Sequence, residues 1–288
     1  MKLKIPYVIS THGFVEMNDF VKAFGVKAWL RPLFSFALRR PIARVVRHAA
    51  HVLILSPQEE PILRSMGAHP DRLTVVTNGV DPYFMEDIPE ATRLALVARF
   101  SLPRDVPLML YVGNHTANKG LDVLLRALPL MKQRGAAVIG GAITSEAGHE
   151  RLLKESGVAG SDRLMFTDFT TKEELRALYR SVDVFVFPSR ADTLPLVILE
   201  AMASGLPVVS TTVGGIPFEV SAETGVLVAP GDAAALALAL DRLCGDAQLR
   251  KSMGAAARSR VARLFDWNVS ADKALAIYRD VVAKQRSS

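Results

Sequence analysis

The side chains in this sequence best placed to do chemistry are an acid pair and a lysine. Asp192 stands in a polar loop, Ser189 to Asp192, that enters a helix; Glu200 falls two turns into that helix. Side chains on a helix lean back toward its start, so Glu200 points along the helix face toward the loop that holds Asp192. Lys119 sits at the start of another helix, Leu121 to Leu128, after the polar run Asn114 to Gly120. A cation there opposes the helix dipole, which favours an anion site over a merely exposed lysine. His12 follows the apolar run Tyr7 to Ser10 and precedes Gly13, at a strand's carboxyl end.

The elements that must position these groups alternate between short apolar runs and helical runs. Val184 to Phe187, closed by Pro188, suits a buried parallel strand. Leu196 to Ala203 is a good helix former stopped by Gly205, Pro207 to Ser210 begins the next strand, and Gly214-Gly215 forms the loop after it. This is a βαβ unit, and ligands in such sheets lie beyond the carboxyl ends of the strands. Further strands are expected at His51–Ser56, Leu73–Thr77, Leu108–Gly113, Ala137–Gly141, Leu164–Phe166 and from Gly225, with helices at Gln58–Met66, Ala91–Phe100, 233–243 and Val269–Lys284. Residues 22 to 47 carry Lys22, Lys27, Arg31, Arg39, Arg40, Arg44 and Arg47 among Trp29, Leu30, Leu33, Phe34 and Phe36, with Pro32 and Pro41 dividing them into two or three helical pieces. Such a stretch either lies on an anionic membrane surface or is the solvated face of helices packed on a sheet.

The stretch from Asp183 to Pro217, above all Glu200-Ala201-Met202-Ala203-Ser204-Gly205-Leu206-Pro207-Val208-Val209, resembles the signature of retaining glycosyltransferases of family 4. The family's mark is Glu-x7-Glu; here Asp192 replaces the first Glu and Glu200 is the second. Lys119-Gly120 matches the end of the family's Gly-Arg-x4-Lys-Gly, with Asn114 at the arginine position, and Asn78-Gly79-Val80-Asp81 matches its Asn-Gly-Val-Asp turn. The resemblance implies an α/β protein with two Rossmann-like domains facing across a cleft: residues 1–88, joined by the C-terminal helix 269–288, on the acceptor side, and residues 89–268 on the nucleotide-sugar side. Trp267 would pack where the last helix crosses back. It also implies roles. Glu200 would hydrogen-bond the donor ribose, and Asp192 would lie near the donor sugar hydroxyls. The backbone of Thr193, Leu194, Pro195 and Leu196, at a helix start, would meet the diphosphate. Lys119 would neutralise the departing diphosphate, helped by Asn114 without charge. Phe169 would border the base, though packing is an equal alternative for it, and His12 would face the acceptor. The expected donor is a nucleotide-diphosphate sugar and the acceptor a glycan or lipid-linked molecule, in cell-envelope or exopolysaccharide assembly. With no Asp-x-Asp in a suitable loop, neither a catalytic metal nor another cofactor is expected.

Composition fits this. The chain has 288 residues, half of them hydrophobic, enough for two domains. One cysteine, Cys244, excludes a disulfide framework and fits a reducing compartment, so a cytoplasmic protein, peripheral to the inner face of the membrane if residues 22–47 touch lipid, is expected. A formal charge of +6 favours anionic partners but gives no case for nucleic acid. A first Rossmann-like half of roughly 150 residues would be short here by about 80 to 100, and no Gly-x-Gly loop follows Met1, so the expectation is an incomplete first domain. Two other readings follow from the same residues: a nucleotide-sugar epimerase or phosphorylase on the same fold, and a non-catalytic nucleotide-sugar-binding remnant.

Overall fold

The computed structural model describes residues 5–12, 27–103, 105–143, 146–158, 160–167 and 171–286. Two parallel sheets organise them. The first has three strands, β1 (Val8–Ser10), β2 (His51–Ile54) and β3 (Leu73–Val75), in the order β1-β2-β3. The second has six: β4 (Leu108–Val112), β5 (Ala136–Gly140), β6 (Leu164–Thr167), β7 (Val184–Phe187), β8 (Val208–Thr211) and β9 (Gly225–Val228). Their order is β6-β5-β4-β7-β8-β9, all parallel. The chain thus enters this sheet at its centre, builds outward on one side through β6, then returns to build the other from β7. The order reverses between β4 and β7, and at such a reversal doubly wound sheets hold ligands in the crevice beyond the carboxyl ends of the strands.

Helices cover both sheets. On the first lie α1 (Arg31–His48) and α2 (Glu60–Ser65). Around the second lie α3 (Glu90–Val97), α4 (Leu121–Ala127), α5 (Glu146–Glu155), α6 (Lys172–Tyr179), α7 (Leu196–Ala203), α8 (Ile216–Glu219), α9 (Ala233–Gly245) and α10 (Ala247–Leu264). Among these, α4 packs on α9, α7 on α10, and α3 on α6. Every residue of β4, β5, β7 and β8 is buried, which is why these strands read as unbroken apolar runs rather than as alternating ones.

The last helix, α11 (Trp267–Arg286), returns to the first sheet. The Thr77 hydroxyl bonds the Ser270 hydroxyl at 3.3 Å, and the Val80 amide donates to the Phe265 carbonyl at 2.9 Å. Trp267 lies over Gly79 so closely that a Cβ there would come within 2.5 Å of the indole. The Asn78-Gly79-Val80-Asp81 segment is therefore the seat of the crossing, but no turn forms at Asn78-Gly79 and Gly79 keeps a φ outside the left-handed region; what it needs there is room for the Trp267 indole.

Two other expectations change. The stretch from 22 to 47 is not divided at Pro41: a 3-10 turn, Ala28–Leu30, leads into a single helix over residues 31–48, and residues 22–26 lie outside the described residues. Pro32 occupies the first turn, where a missing N–H costs nothing. Pro41 lies inside, on the exposed side, while Val46 and Ala49 are buried and Ile42 and Ala43 half-buried against β2 and α2. That packing holds the turn despite the lost hydrogen bond. Helices α5 and α10 were not singled out in the sequence; α10 has three glycine or serine residues in its length, which blurred its apolar stripe.

Candidate functional site

The site grows from three loops at the carboxyl ends of β4, β7 and β8. After β4 the chain runs through Asn114 and a 3-10 turn, Ala117–Lys119, to Gly120. Gly120 has φ +73°, and a Cβ on it would lie 1.9 Å from the Pro188 carbonyl oxygen. Only glycine lets the two loops touch this closely. The contact sets Lys119 opposite Asp192: Lys119 Nζ donates to Asp192 Oδ2 at 2.6 Å, 5.5 Å above the Phe187 ring. The Asp192 side chain is 13% exposed and that of Lys119 28%. After β8, Gly214 (φ +52°) and Gly215 lie against the other side of the Asp192 loop, with added Cβ atoms 1.8 Å from the Asp192 carbonyl and 2.2 Å from that of Thr193. The Gly215 amide donates to Thr193 at 2.7 Å, and a Cβ on Gly215 would sit 3.0 Å from Ser56 Oγ, so this loop also meets the end of the first sheet.

Glu200 stands on α7, half-buried. Burial pushes its carboxyl up to about 7; a hydrogen bond from the Tyr179 hydroxyl at 3.1 Å and the nearby Lys172 charge pull the other way. Lys172 pairs with Asp81 and lies over the Tyr83 ring at 5.0 Å. The Asp81 carboxyl is held below the usual range, first by that bond from Lys172. Asn78 Nδ2 donates to the Leu194 carbonyl at 3.4 Å, so the crossing turn also touches the start of the α7 segment.

The expected residues thus divide. Asp192, Lys119, Thr193, Leu194, Pro195, Leu196 and Glu200 occupy one continuous region. Within it the Thr193 amide already donates to Asp192 Oδ1 at 3.2 Å, and Pro195 has no N–H, so of the expected amides only those of Leu194 and Leu196 donate to no acceptor among the described residues. Asn114 is exposed, and its carbonyl accepts from the Tyr111 hydroxyl at 3.3 Å. His12 stands exposed at the carboxyl end of β1 with φ +46°, an uncommon conformation for a residue with a side chain. No described hydrogen bond joins it to Lys119 or Asp192. Phe169 lies outside the described residues. No group of three or more His, Cys, Asp or Glu side chains among the described residues could hold a metal ion, and no helix among them is long and apolar enough to cross a membrane.

Sequence reading missed several neighbours. Arg190 bridges to Asp122, and Glu219 on α8 is fully buried with neither carboxylate oxygen hydrogen-bonded among the described residues. Burial, then the charge of Asp192, holds the Glu219 carboxyl well above the usual range. Its signal was faint: a lone acid just after the Gly214-Gly215 loop.

Comparison with known proteins fits this geometry. The profile of the family described as "Glycosyl transferases group 1" matches residues 106–246, and that of "Glycosyl transferase 4-like domain" matches residues 1–79. The chain belongs to the group 1 glycosyl transferases. Among relatives of this family, the D-inositol 3-phosphate glycosyltransferase of Corynebacterium diphtheriae is 33% identical over 243 residues, covering 80% of this chain and 56% of that protein. The chain therefore spans little more than half the length of this curated relative. Sucrose-phosphate synthase from Thermosynechococcus elongatus superposes with a TM-score of 0.79 at 28% identity, over 98% of this chain and 69% of that one. Anabaena HepE, solved in complex with UDP-glucose, gives 0.72 at 19% identity, over 98% and 72%. The shared fold is the two-domain glycosyltransferase architecture.

Proposed function

We propose that this chain transfers a sugar from a nucleotide-diphosphate sugar to a glycan or lipid-linked acceptor with retention at the anomeric carbon. The observation that carries this reading is the Lys119–Asp192 pair at the crevice between β4 and β7, beside the start of α7 and its Glu200. Glu200, as a carboxylate, accepts from both ribose hydroxyls. Lys119 exchanges part of its contact with Asp192 for the diphosphate, and the Leu194 and Leu196 amides add donors at the helix start. Asp192, released in part, turns to the sugar hydroxyls; Asn114 offers an uncharged donor. Phe169, outside the described residues, keeps both readings, base neighbour or packing residue, and His12 faces the acceptor. In the chemical step the bond from the anomeric carbon to the phosphate oxygen breaks. The acceptor oxygen bonds the same face, and its proton passes to the departing phosphate. No metal or other cofactor enters this reading, because Lys119 supplies the positive charge at the leaving group.

UDP, bound by the HepE structure with UDP-glucose as its sugar form, is the first nucleotide to try. The basic, exposed side of α1, with Trp29 and Leu33 exposed just before and within it, supports peripheral contact with anionic lipid on the cytoplasmic side, in polysaccharide or envelope assembly. A second reading, a nucleotide-sugar binder without transfer, is favoured by the uncharged Asn114. Incubation with UDP-, GDP- and ADP-sugars and an acceptor alcohol separates them. Transfer with the anomeric configuration kept, seen by NMR of the product, supports the first. Inversion overturns retention, and nucleotide binding without product selects the second.

A further inference from the structure

The structure assigns to Arg190 and Asp122 a role beyond any expected from the sequence: they form a positioning clamp that fixes the Lys119 loop for the donor diphosphate. This rests on the donor-site reading above. Lys119 and Asp192 lie on separate segments, and something must set the distance between them. Arg190 is two positions before Asp192, and Asp122 three after Lys119. Their side chains pair through two parallel bonds, Nη1 to Oδ1 at 2.6 Å and Nη2 to Oδ2 at 2.5 Å. This fork-on-fork geometry fixes direction as well as distance. Arg190 Nη1 also donates to the Ala117 carbonyl at 2.7 Å. The Arg190 amide reaches the Asn118 carbonyl at 2.7 Å, and the Ser189 hydroxyl reaches the same carbonyl at 2.9 Å. Both carbonyls belong to the 3-10 turn that ends at Lys119, so the turn is tied at each residue before the lysine.

The pair is built to stay charged. Burial pushes the Asp122 carboxyl up, but bonds and charge from Arg190 and Arg126 outweigh it and hold it below the usual range. Arg126 Nη2 adds a third contact to Asp122 at 3.0 Å. A clamp matters more here because a single lysine faces the diphosphate where the family pattern has an arginine as well. A flexible lysine loses rotamer freedom on binding, and a loop already fixed reduces the part of that loss that falls on the backbone. Arg190 itself touches no reacting atom in this account; it acts through Lys119.

The test uses the full chain with UDP and uridine, GDP and guanosine, and ADP and adenosine, read by calorimetry or ligand-observed NMR. For the diphosphate that the wild type binds, Arg190→Leu is expected to weaken affinity about tenfold with nucleoside affinity unchanged, and Arg190→Lys to fall between. The exchange Arg190→Asp with Asp122→Arg is expected to recover part of the loss. If Arg190→Leu does not fold, Arg190→Lys and Asp122→Asn give the same comparison. An unchanged diphosphate affinity overturns the clamp, and so does an equal loss for diphosphate and nucleoside, which marks a purely structural pair. A wild type that binds no diphosphate overturns the donor-site reading itself, and the clamp's role falls with it.

Discussion

The two sheets differ in how completely they are enclosed. The six-stranded sheet has four central strands buried on both faces and a continuous core running from Val80 to Phe265. The three-stranded sheet has a small core of Val46, Ala49, Val52, Ile54, Leu63, Met66 and Ala68, while all of β3 is only half-buried. Among the described residues β1 has a neighbour on one side only, and Tyr7 and Ile5 before it are exposed. The residues proposed to bind the donor stand on the enclosed sheet, at loops where backbone meets backbone at Gly120, Gly214 and Gly215. His12, the one expected residue on the lean sheet, stands exposed. On the proposed reading, the groups that hold the donor diphosphate are positioned by the enclosed half, where loop backbones are in contact before any ligand binds.

The largest effect expected from breaking this arrangement is at the loop contact. Gly120→Val meets the Pro188 carbonyl and requires a positive φ, so it should cost about 4 kcal/mol or abolish folding of the larger sheet, measured by denaturant unfolding. Gly157→Ala, with a similar φ but nothing near its Cβ, should cost only about 1 kcal/mol; equal losses would show that backbone conformation, not loop contact, is what Gly120 provides. Hydrogen exchange sharpens the comparison between the sheets. Amides of Leu108–Val112 should open only with global unfolding, and those of Leu73–Val75 about 2–3 kcal/mol more easily; uniform protection would show one cooperative unit.

The pH response isolates the acid on the rigid half. Burial pushes the Glu200 carboxyl up to about 7, and on the proposed reading it must be ionised to accept both ribose hydroxyls, so nucleotide affinity should rise about tenfold between pH 6 and pH 8, with a proton released on binding. Folding carries the opposite sign. A raised carboxyl favours the native state below its unfolded value, and that contribution is lost as pH rises through about 7. A flat affinity profile would remove Glu200 from the ribose. The smallest expected effect is a gain: Asn114→Arg places a second cation beside the crevice and should tighten diphosphate binding about fivefold, more at low salt. No change would show that Asn114 lies beyond reach of the phosphates.

Much of the enclosed half was legible in the sequence because its signals are local. The strands Val184–Phe187 and Leu108–Val112 are short apolar runs bounded by glycine or proline, and α7 has the expected ends. What was not legible is non-local. Nothing near Lys119 in the chain says that its partner is Asp192, or that Arg190 reaches back to Asp122, because these pairings depend on β4 and β7 being neighbours. Pro41 misled for a related reason: its local cost was visible, but the packing of Val46 and Ala49 that offsets it was not. Glu219 escaped because a buried, unbonded acid is defined by its surroundings rather than by its neighbours in sequence.

The central claim is that a nucleoside diphosphate sits between Lys119 and Glu200. Calorimetric titration of UDP, GDP and ADP into the wild type and Glu200→Ala tests it most directly. The account predicts that the wild type binds one of the three with a Kd on the order of micromolar and that Glu200→Ala, still folded, loses this about 100-fold, as expected when a half-buried carboxylate that accepts two hydrogen bonds is removed. A folded wild type that binds none of the three, or a mutant that binds as tightly as the wild type, would contradict it.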